Sequence, residues 1–254
     1  MIYTDAFYDQ QMRESEASAR VVLPILREIV RPASAIDVGC GVGGWLRVLQ
    51  DLGTPRIMGT DGDYVPRHRL RIKADEFRPA DLTRPLAHAS RYDLALSLEV
   101  AEHLPPDRAA GFVSDLTRLS DVVLFSAALP FQGGTNHLNE NWLEYWAILF
   151  RREGFAAYDL LRPRVWNDIS VCWWYRQNLM LFARPDTLSR PVPRPEPLSR
   201  IHPVSLLTQA ARSRPSDDDR RRGLRWYTAL LDNWLSGSTE LPPDDVHYTA
   251  DDAT

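Results

Sequence analysis

Apolar positions along the chain follow two periods. Between residues 9 and 30, Val21, Val22, Ile25, Leu26 and Ile29 recur at helical spacing among acids and arginines. This predicts an amphipathic helix that Pro24 is expected to kink or restart. Pro32 and Ser34 close it and open a short apolar run at 35–38, sized for a buried strand. Similar runs follow at 56–60, 77–81, 92–98 and 121–127, separated by helical patterns at 45–52 and 106–119 and by a polar stretch at 64–75. Strands alternating with helices predict an α/β fold, a Rossmann-like doubly wound sheet. A helix at 141–153 is stopped by Gly154. The last two runs, 155–161 and 179–183, have no helical pattern between them and predict a closing antiparallel pair.

Beyond residue 184 the pattern changes. Pro185, Pro191, Pro193, Pro195 and Pro197 predict a stiff, extended linker over 185–200. A helical extension over 201–240 follows, with helices at 204–212 and 218–235. The second carries Leu224, Tyr227, Leu230, Leu231 and Trp234 on one face. The acidic end, 241–254, is expected to be disordered. The main domain then spans 1–184, and no internal repeat is visible.

Composition narrows the function classes. A chain of 254 residues with 44% hydrophobic content can bury one sizeable α/β core. A net charge of −4 gives no general attraction to nucleic acid or anionic membrane. The two cysteines, Cys40 and Cys172, suggest neither a disulfide framework nor a metal-ligand spacing. Lys73, the sole lysine, lies in a polar stretch unsuited to Schiff-base chemistry. No apolar run has the length of a membrane span, and the first residues lack a leader pattern, so a cytoplasmic protein is the expectation.

The stretch from Ser34 to Leu46 reads as strand, glycine-rich turn and helix start. Gly39, Gly41 and Gly44 satisfy a dinucleotide pattern, whereas Asp37, Gly39, Gly41 and Gly43 satisfy an S-adenosylmethionine (SAM) pattern. A carboxylate at Asp37 gains nothing beside a pyrophosphate. It does gain beside a methionine ammonium and a sulfonium, both cationic. Asp61 closes the second strand, where it suits the ribose hydroxyls of either cofactor. Asp81 and Leu82 follow the third strand and suit an adenine amino group and ring.

With these segments, and with the run Tyr92-Asp-Leu-Ala-Leu-Ser-Leu-Glu-Val-Ala-Glu-His103, the chain resembles the class I SAM-dependent methyltransferases. The likeness is to the small-molecule branch that includes the ubiquinone-biosynthesis O-methyltransferases. The resemblance implies seven strands with one antiparallel strand near an edge. It places Asp37, Gly39, Cys40, Gly41 and Gly43 at the methionine end, Asp61 and Gly62 at the ribose, Asp81 and Leu82 at the adenine, and Ser97, Leu98 and Glu99 facing the transferred methyl. Tyr8 is a candidate cover for the cofactor, or simply packs on its own helix.

Methyl transfer is an in-line displacement in which the protein positions a nucleophile and takes its proton. The expected base is His137, in a polar, glycine-rich loop after the fifth strand, with Glu99, Glu102 and His103 after the fourth. The alternative for His137 is a helix cap near Asn139. Glu99, Glu102, His103 and His137 together resemble the Glu-x-x-Glu-His…His pattern of RNA 3′-end 2′-O-methyltransferases, which bind a metal. A divalent metal is therefore a secondary expectation, since Glu-x-x-Glu-His also occurs where no metal is needed. Gln132, Asn136, Trp166, Trp174 and Arg176 are the acceptor-binding candidates, the tryptophans as an aromatic wall and Arg176 for an anionic group. The competing reading makes the tryptophans hairpin core. The leading expectation is methyl transfer from SAM to a small-molecule acceptor, a sugar or specialised metabolite, by a monomer or homodimer. RNA methylation, a non-catalytic SAM-binding role and an NAD-dependent oxidoreductase are the rivals.

Overall fold

A computed structural model describes residues 5–87, 90–188, 198–202, 205 and 217–243, with backbone alone for 5–11 and 217–224. Tyr8's side chain, the stretch 189–197, most of the helix expected at 204–212 and the tail from 244 lie outside the described set.

Seven strands form one sheet: β1 (Ser34–Val38), β2 (Arg56–Asp61), β3 (Phe77–Pro79), β4 (Leu94–Leu98), β5 (Val122–Ser126), β6 (Ala156–Tyr158) and β7 (Met180–Ala183). Their order is β3-β2-β1-β4-β5-β7-β6. The first five strands pair in parallel, while β7 runs antiparallel to both β5 and β6. The expected mixed α/β sheet is thus the one observed. Every residue of β1, β4 and β5 is buried, as strands covered on both faces require. The order reverses between β1 and β4, so their carboxyl ends open a crevice.

The helices are α1 (Asp5–Arg27), α2 (Gly44–Asp51), α3 (Ala109–Leu119), α4 (Leu143–Arg152), α5 (Arg162–Val165), α6 (Trp173–Asn178) and α7 (Asp217–Leu235). Leu23 and Leu26 of α1 and Leu46 and Leu49 of α2 cover one sheet face together with Tyr175. Phe112, Trp146 and Phe150, from α3 and α4, cover the other and share their core with Trp226, Leu230 and Trp234 of α7. Phe150 stacks flat on Phe182 of β7, ring centres 3.9 Å apart.

Three features depart from the sequence reading. α1 runs unbroken through the exposed Pro24, because the packing of Val22, Leu23 and Leu26 outweighs one missing backbone bond. Between β6 and β7 stand two short helices rather than a plain hairpin connection. Buried Arg162 braces them, bonding the Asp159 carboxylate at 2.7 and 2.9 Å and the Gln177 carbonyl at 3.0 Å. Elements of four and six residues are too short to display a period. Lastly, the end of the proline-rich stretch is docked. The buried Glu144 carboxylate accepts from the backbone N–H groups of Leu198 (2.6 Å) and Ser199 (2.9 Å) and from the Ser199 hydroxyl.

Candidate active site

β1 ends at Asp37 and Val38, and the chain turns through Gly39, Gly41 and Gly43, all at positive φ, before α2 begins. Two of these glycines are needed for different reasons. A Cβ on Gly39 would lie 2.3 Å from a Val100 methyl, so close packing against the end of β4 excludes any side chain. At Gly41, φ is +53° and nothing lies within 4 Å of where a Cβ would stand, so its face is open. Asp61, at the end of β2, accepts from the Gly41 N–H at 2.7 Å, the Gly62 N–H at 2.6 Å and the Tyr64 hydroxyl at 2.7 Å. Cys40 lies beneath the loop, its sulfur against Gly59.

The two acids of the loop are unlike. Asp61 is held by donors, whereas burial and the neighbouring Asp61 push the Asp37 carboxyl up to about 7. A buried acid beside another acid gains when a cation arrives. Ser97 is likewise buried with its hydroxyl unpartnered among the described residues, and Leu98 is buried beside it. Asp81 lies beyond the end of β3 with an exposed carboxylate that accepts from the Thr83 N–H and hydroxyl, while Leu82 is buried. An open glycine face, a ribose-ready acid and a carboxyl group raised by burial and by its acidic neighbour fit SAM: the first admits a ligand close to the backbone, and the last suits its cationic end.

After β4 the chain makes a tight turn. Glu99 adopts φ +55°, unusual for a residue with a side chain, and its N–H is shared between the Ser126 carbonyl and hydroxyl at 3.0 and 3.1 Å. A single 3-10 turn, Ala101–His103, follows. The Glu102 carbonyl accepts from the N–H groups of Leu138 (2.7 Å) and Asn139 (3.0 Å), which draws the loop after β5 against that turn. Glu102, His103 and His137 therefore converge, with one ligand-type atom from each lying within 4.8 Å of the others.

The hydrogen bonds around these rings settle their tautomers. Nδ1 of His137 faces Glu140 Oε1 at 2.7 Å, and a carboxylate can only accept, so Nδ1 carries the proton. Nδ1 of His103 faces the Asn136 carbonyl at 3.2 Å and donates for the same reason. His103, which is neutral, keeps its Nε2 lone pair. Burial, with His137 beside it, pushes His103 down to about 4 and keeps the ring neutral. Both Glu102 carboxylate oxygens are buried. The Ala128 and Glu102 backbone N–H groups approach them, but neither oxygen completes a hydrogen bond among the described residues. Burial and the nearby Glu99 and Glu140 raise the Glu102 carboxyl well above the usual range. The centre thus brings two imidazole rings and a buried carboxyl group together, and among the described residues neither Glu102 oxygen completes a hydrogen bond.

Several expected roles are corrected here. Glu99 does not share a face with Glu102 and His103, because its left-handed backbone turns it toward Gln132 and Asn178. The four-residue ligand set becomes three. His137 caps no helix, since α4 starts at Leu143. Gln132 is buried, with Nε2 donating to Glu99 at 3.0 Å, and faces inward instead of toward an acceptor. Asn136 has an exposed side chain and contributes its backbone carbonyl. Arg176 is buried and donates to the Trp166 carbonyl at 3.3 Å, bracing that turn. Trp166 and Trp174 are half-buried: Trp166 lies over His202, ring centres 4.9 Å apart, and Trp174 lies against Tyr175. The sequence reading missed Glu140, Gln177, Asn178 and His202. Only Glu140, three residues after His137 and one helical turn away in spacing, left a signal.

The chain was compared with known proteins. The family model described as "Methyltransferase domain" matches residues 8–166. A probable chloroplastic tocopherol O-methyltransferase of Oryza sativa subsp. japonica is 32% identical over 98 residues, covering 35% of this chain and 26% of that protein. Among solved structures, magnesium protoporphyrin IX methyltransferase from Synechocystis PCC 6803, with bound S-adenosylhomocysteine, superposes with a TM-score of 0.51 at 18% identity, covering 72% of this chain and 89% of that one. An O-methyltransferase family protein from Burkholderia thailandensis gives 0.50 at 16% identity, covering 71% and 59%. The two structural likenesses speak for the fold.

Proposed function

Because this chain belongs to the methyltransferase-domain family, we propose that it transfers a methyl group from SAM to a hydroxyl of a small-molecule acceptor beside a divalent cation held by Glu102, His103 and His137. The observation that carries the cation is the centre itself, where one ligand-type atom from each of Glu102, His103 and His137 lies within 4.8 Å of the others and neither Glu102 oxygen completes a hydrogen bond among the described residues. Two imidazoles and a carboxylate suit zinc, iron or manganese chemistry.

SAM supplies a methyl already activated on a sulfonium, and the cation supplies Lewis acidity that lowers the pKa of an acceptor hydroxyl. The chain's own residues do the rest. Asp37 and Asp61 receive the cationic and ribose parts of SAM at the ends of β1 and β2. Glu140 holds the His137 ring in one tautomer, and the Asn136 carbonyl holds His103. With SAM bound, these residues would hold an acceptor hydroxyl in line with the activated methyl, and the hydroxyl proton would leave to solvent.

A second reading rests on the same Glu140–His137 contact. Without a cation, Nδ1–H bonded to a carboxylate leaves Nε2 as a general base, the logic of a catalytic dyad. One experiment separates the two: metabolite pools are incubated with methyl-labelled SAM before and after dialysis against EDTA, and labelled products are identified by mass spectrometry. Product lost on chelation and restored by manganese or zinc supports the cation. Product unchanged by chelation assigns His137 as the base. No labelled product from any pool, with SAM still bound, removes both in favour of a non-catalytic role.

A further inference from the structure

Segment 198–202 lies beyond the family match, yet it touches the methyl-transfer centre through a chain of side-chain amides. The backbone N–H of His202 donates to Gln177 Oε1 at 2.8 Å. An N–H can only donate, so this contact fixes which way the Gln177 amide points. Gln177 Nε2 is then directed at Gln132 Oε1 (3.2 Å) and Asn178 Oδ1 (3.1 Å). A second backbone donor, the N–H of Leu129, lies 3.2 Å from Gln132 Oε1 and fixes that amide independently. Asn178 Nδ2 donates to Gln132 Oε1 at 2.9 Å.

With all three orientations determined, the remaining donors have one destination. Gln132 Nε2 lies 3.0 Å from Glu99 Oε2, and Asn178 Nδ2 lies 3.2 and 3.4 Å from the two Glu99 oxygens. Gln177 and Asn178 are fully buried and Gln132 nearly so. Burial pushes the Glu99 carboxyl above its ordinary range, and the hydrogen bonds from Asn178, Ser126 and Gln132 work against that rise by favouring the ionised form. Its position follows from the backbone: the next residue, Val100, packs its methyls on Gly39 of the cofactor loop. Glu99 is therefore the chain neighbour of the residue that packs on the cofactor loop.

We propose that residues Leu198 to His202 are a working part of the cofactor site, in which the His202 N–H sets the direction of an amide relay through Gln177 to Gln132 and Asn178 that aims the Glu99 carboxylate at the SAM sulfonium. Gln177, Asn178 and His202 are positioning residues, acting through Glu99. The relay's ligand chemistry is a cationic sulfur, and its consequence is discrimination between SAM, which carries that charge, and S-adenosylhomocysteine, which does not. The inference depends on the family's cofactor and is independent of the cation at Glu102.

Calorimetric titration of the full-length protein with SAM and with S-adenosylhomocysteine tests it without any acceptor. Gln177→Met removes the relay's middle and leaves Asn178 Oδ1 without its donor, whereas Asn178→Leu removes one of the two side chains that donate to Glu99 and leaves Gln132 in place. Each is expected to lower the ratio of SAM to S-adenosylhomocysteine affinity about fivefold to tenfold, as loss of an oriented charge at short range implies. Leu235→Ala, at the exposed end of α7 and away from the relay, leaves the ratio unchanged. Melting curves exclude an unfolded variant, and either of the two test variants alone suffices. An unchanged ratio in a folded variant, or a parallel fall for both ligands, overturns the relay. Failure of the wild-type chain to bind either ligand overturns the relay together with the methyltransferase reading.

Discussion

Glu140 Oε1 lies 2.7 Å from His137 Nδ1, and the same oxygen accepts the Gly133 N–H at 2.8 Å. One buried carboxylate oxygen thus closes the loop after β5 and sets the tautomer of the ring that faces Glu102. Its other oxygen has no partner among the described residues. Such an outer carboxylate orients a ligating histidine and raises its basicity.

Glu140→Gln is therefore expected to weaken cation binding by about tenfold to 100-fold, because an amide neither orients the ring nor raises its basicity as a carboxylate does. Titration with manganese followed by electron paramagnetic resonance measures this directly. Cation affinity equal to wild type would detach Glu140 from the site.

Asp37 links cofactor binding to pH. Its folded-state pKa of about 7 lies above the ordinary 3.8, so the ligand-free fold holds the proton more tightly than the unfolded chain. The stability this contributes is complete below pH 3.8 and is lost as pH rises to about 7. SAM binding runs the other way, strengthening as Asp37 ionises. Asp37→Asn should raise the melting temperature of the ligand-free protein at pH 8 and weaken SAM binding at least about tenfold, about 1.4 kcal/mol. A variant that melts lower and binds SAM normally would contradict both halves.

The glycines of the loop separate folding from binding. At Gly39, alanine meets Val100 at 2.3 Å and must also adopt φ +83°. A loss of about 2–4 kcal/mol in folding free energy is expected on denaturant unfolding. At Gly41 the added methyl enters open space. Gly41→Ala should cost about 1 kcal/mol of stability from its positive φ, while reducing SAM affinity more than that strain accounts for. Equal stability losses at the two positions would refute the distinction.

Glu144 anchors the chain that follows the proline-rich stretch. Glu144→Leu leaves the N–H groups of Leu198 and Ser199 without their acceptor. The expected cost is about 2–4 kcal/mol, with hydrogen exchange at those two amides accelerated well beyond the rest of the domain. Uniform acceleration across the sheet would indicate global destabilisation instead of release of this segment.

The parallel sheet, the glycine loop and the acids at the ends of β1 and β2 were readable along the chain. Each is a local pattern: an apolar run, a turn chemistry, a carboxylate at a strand end. The family likeness at 35–103 rests on the same local features. The centre is of another kind. Glu102 and His137 are distant in sequence, and the Leu138 and Asn139 N–H bonds to the Glu102 carbonyl bring them together. Glu99 shows how far spacing can mislead. Its interval to Glu102 suggests a shared helical face, but φ +55° turns it to Asn178, at the end of a six-residue helix too short to show a period. Amide direction, tautomer and the docking of 198–202 on Glu144 depend on which donors and acceptors become buried together. Local sequence determined the cofactor's cradle, while the tertiary structure decided the tautomers and carboxylate orientation on its acceptor side, because a hydrogen bond between distant segments exists only once the chain has closed around it.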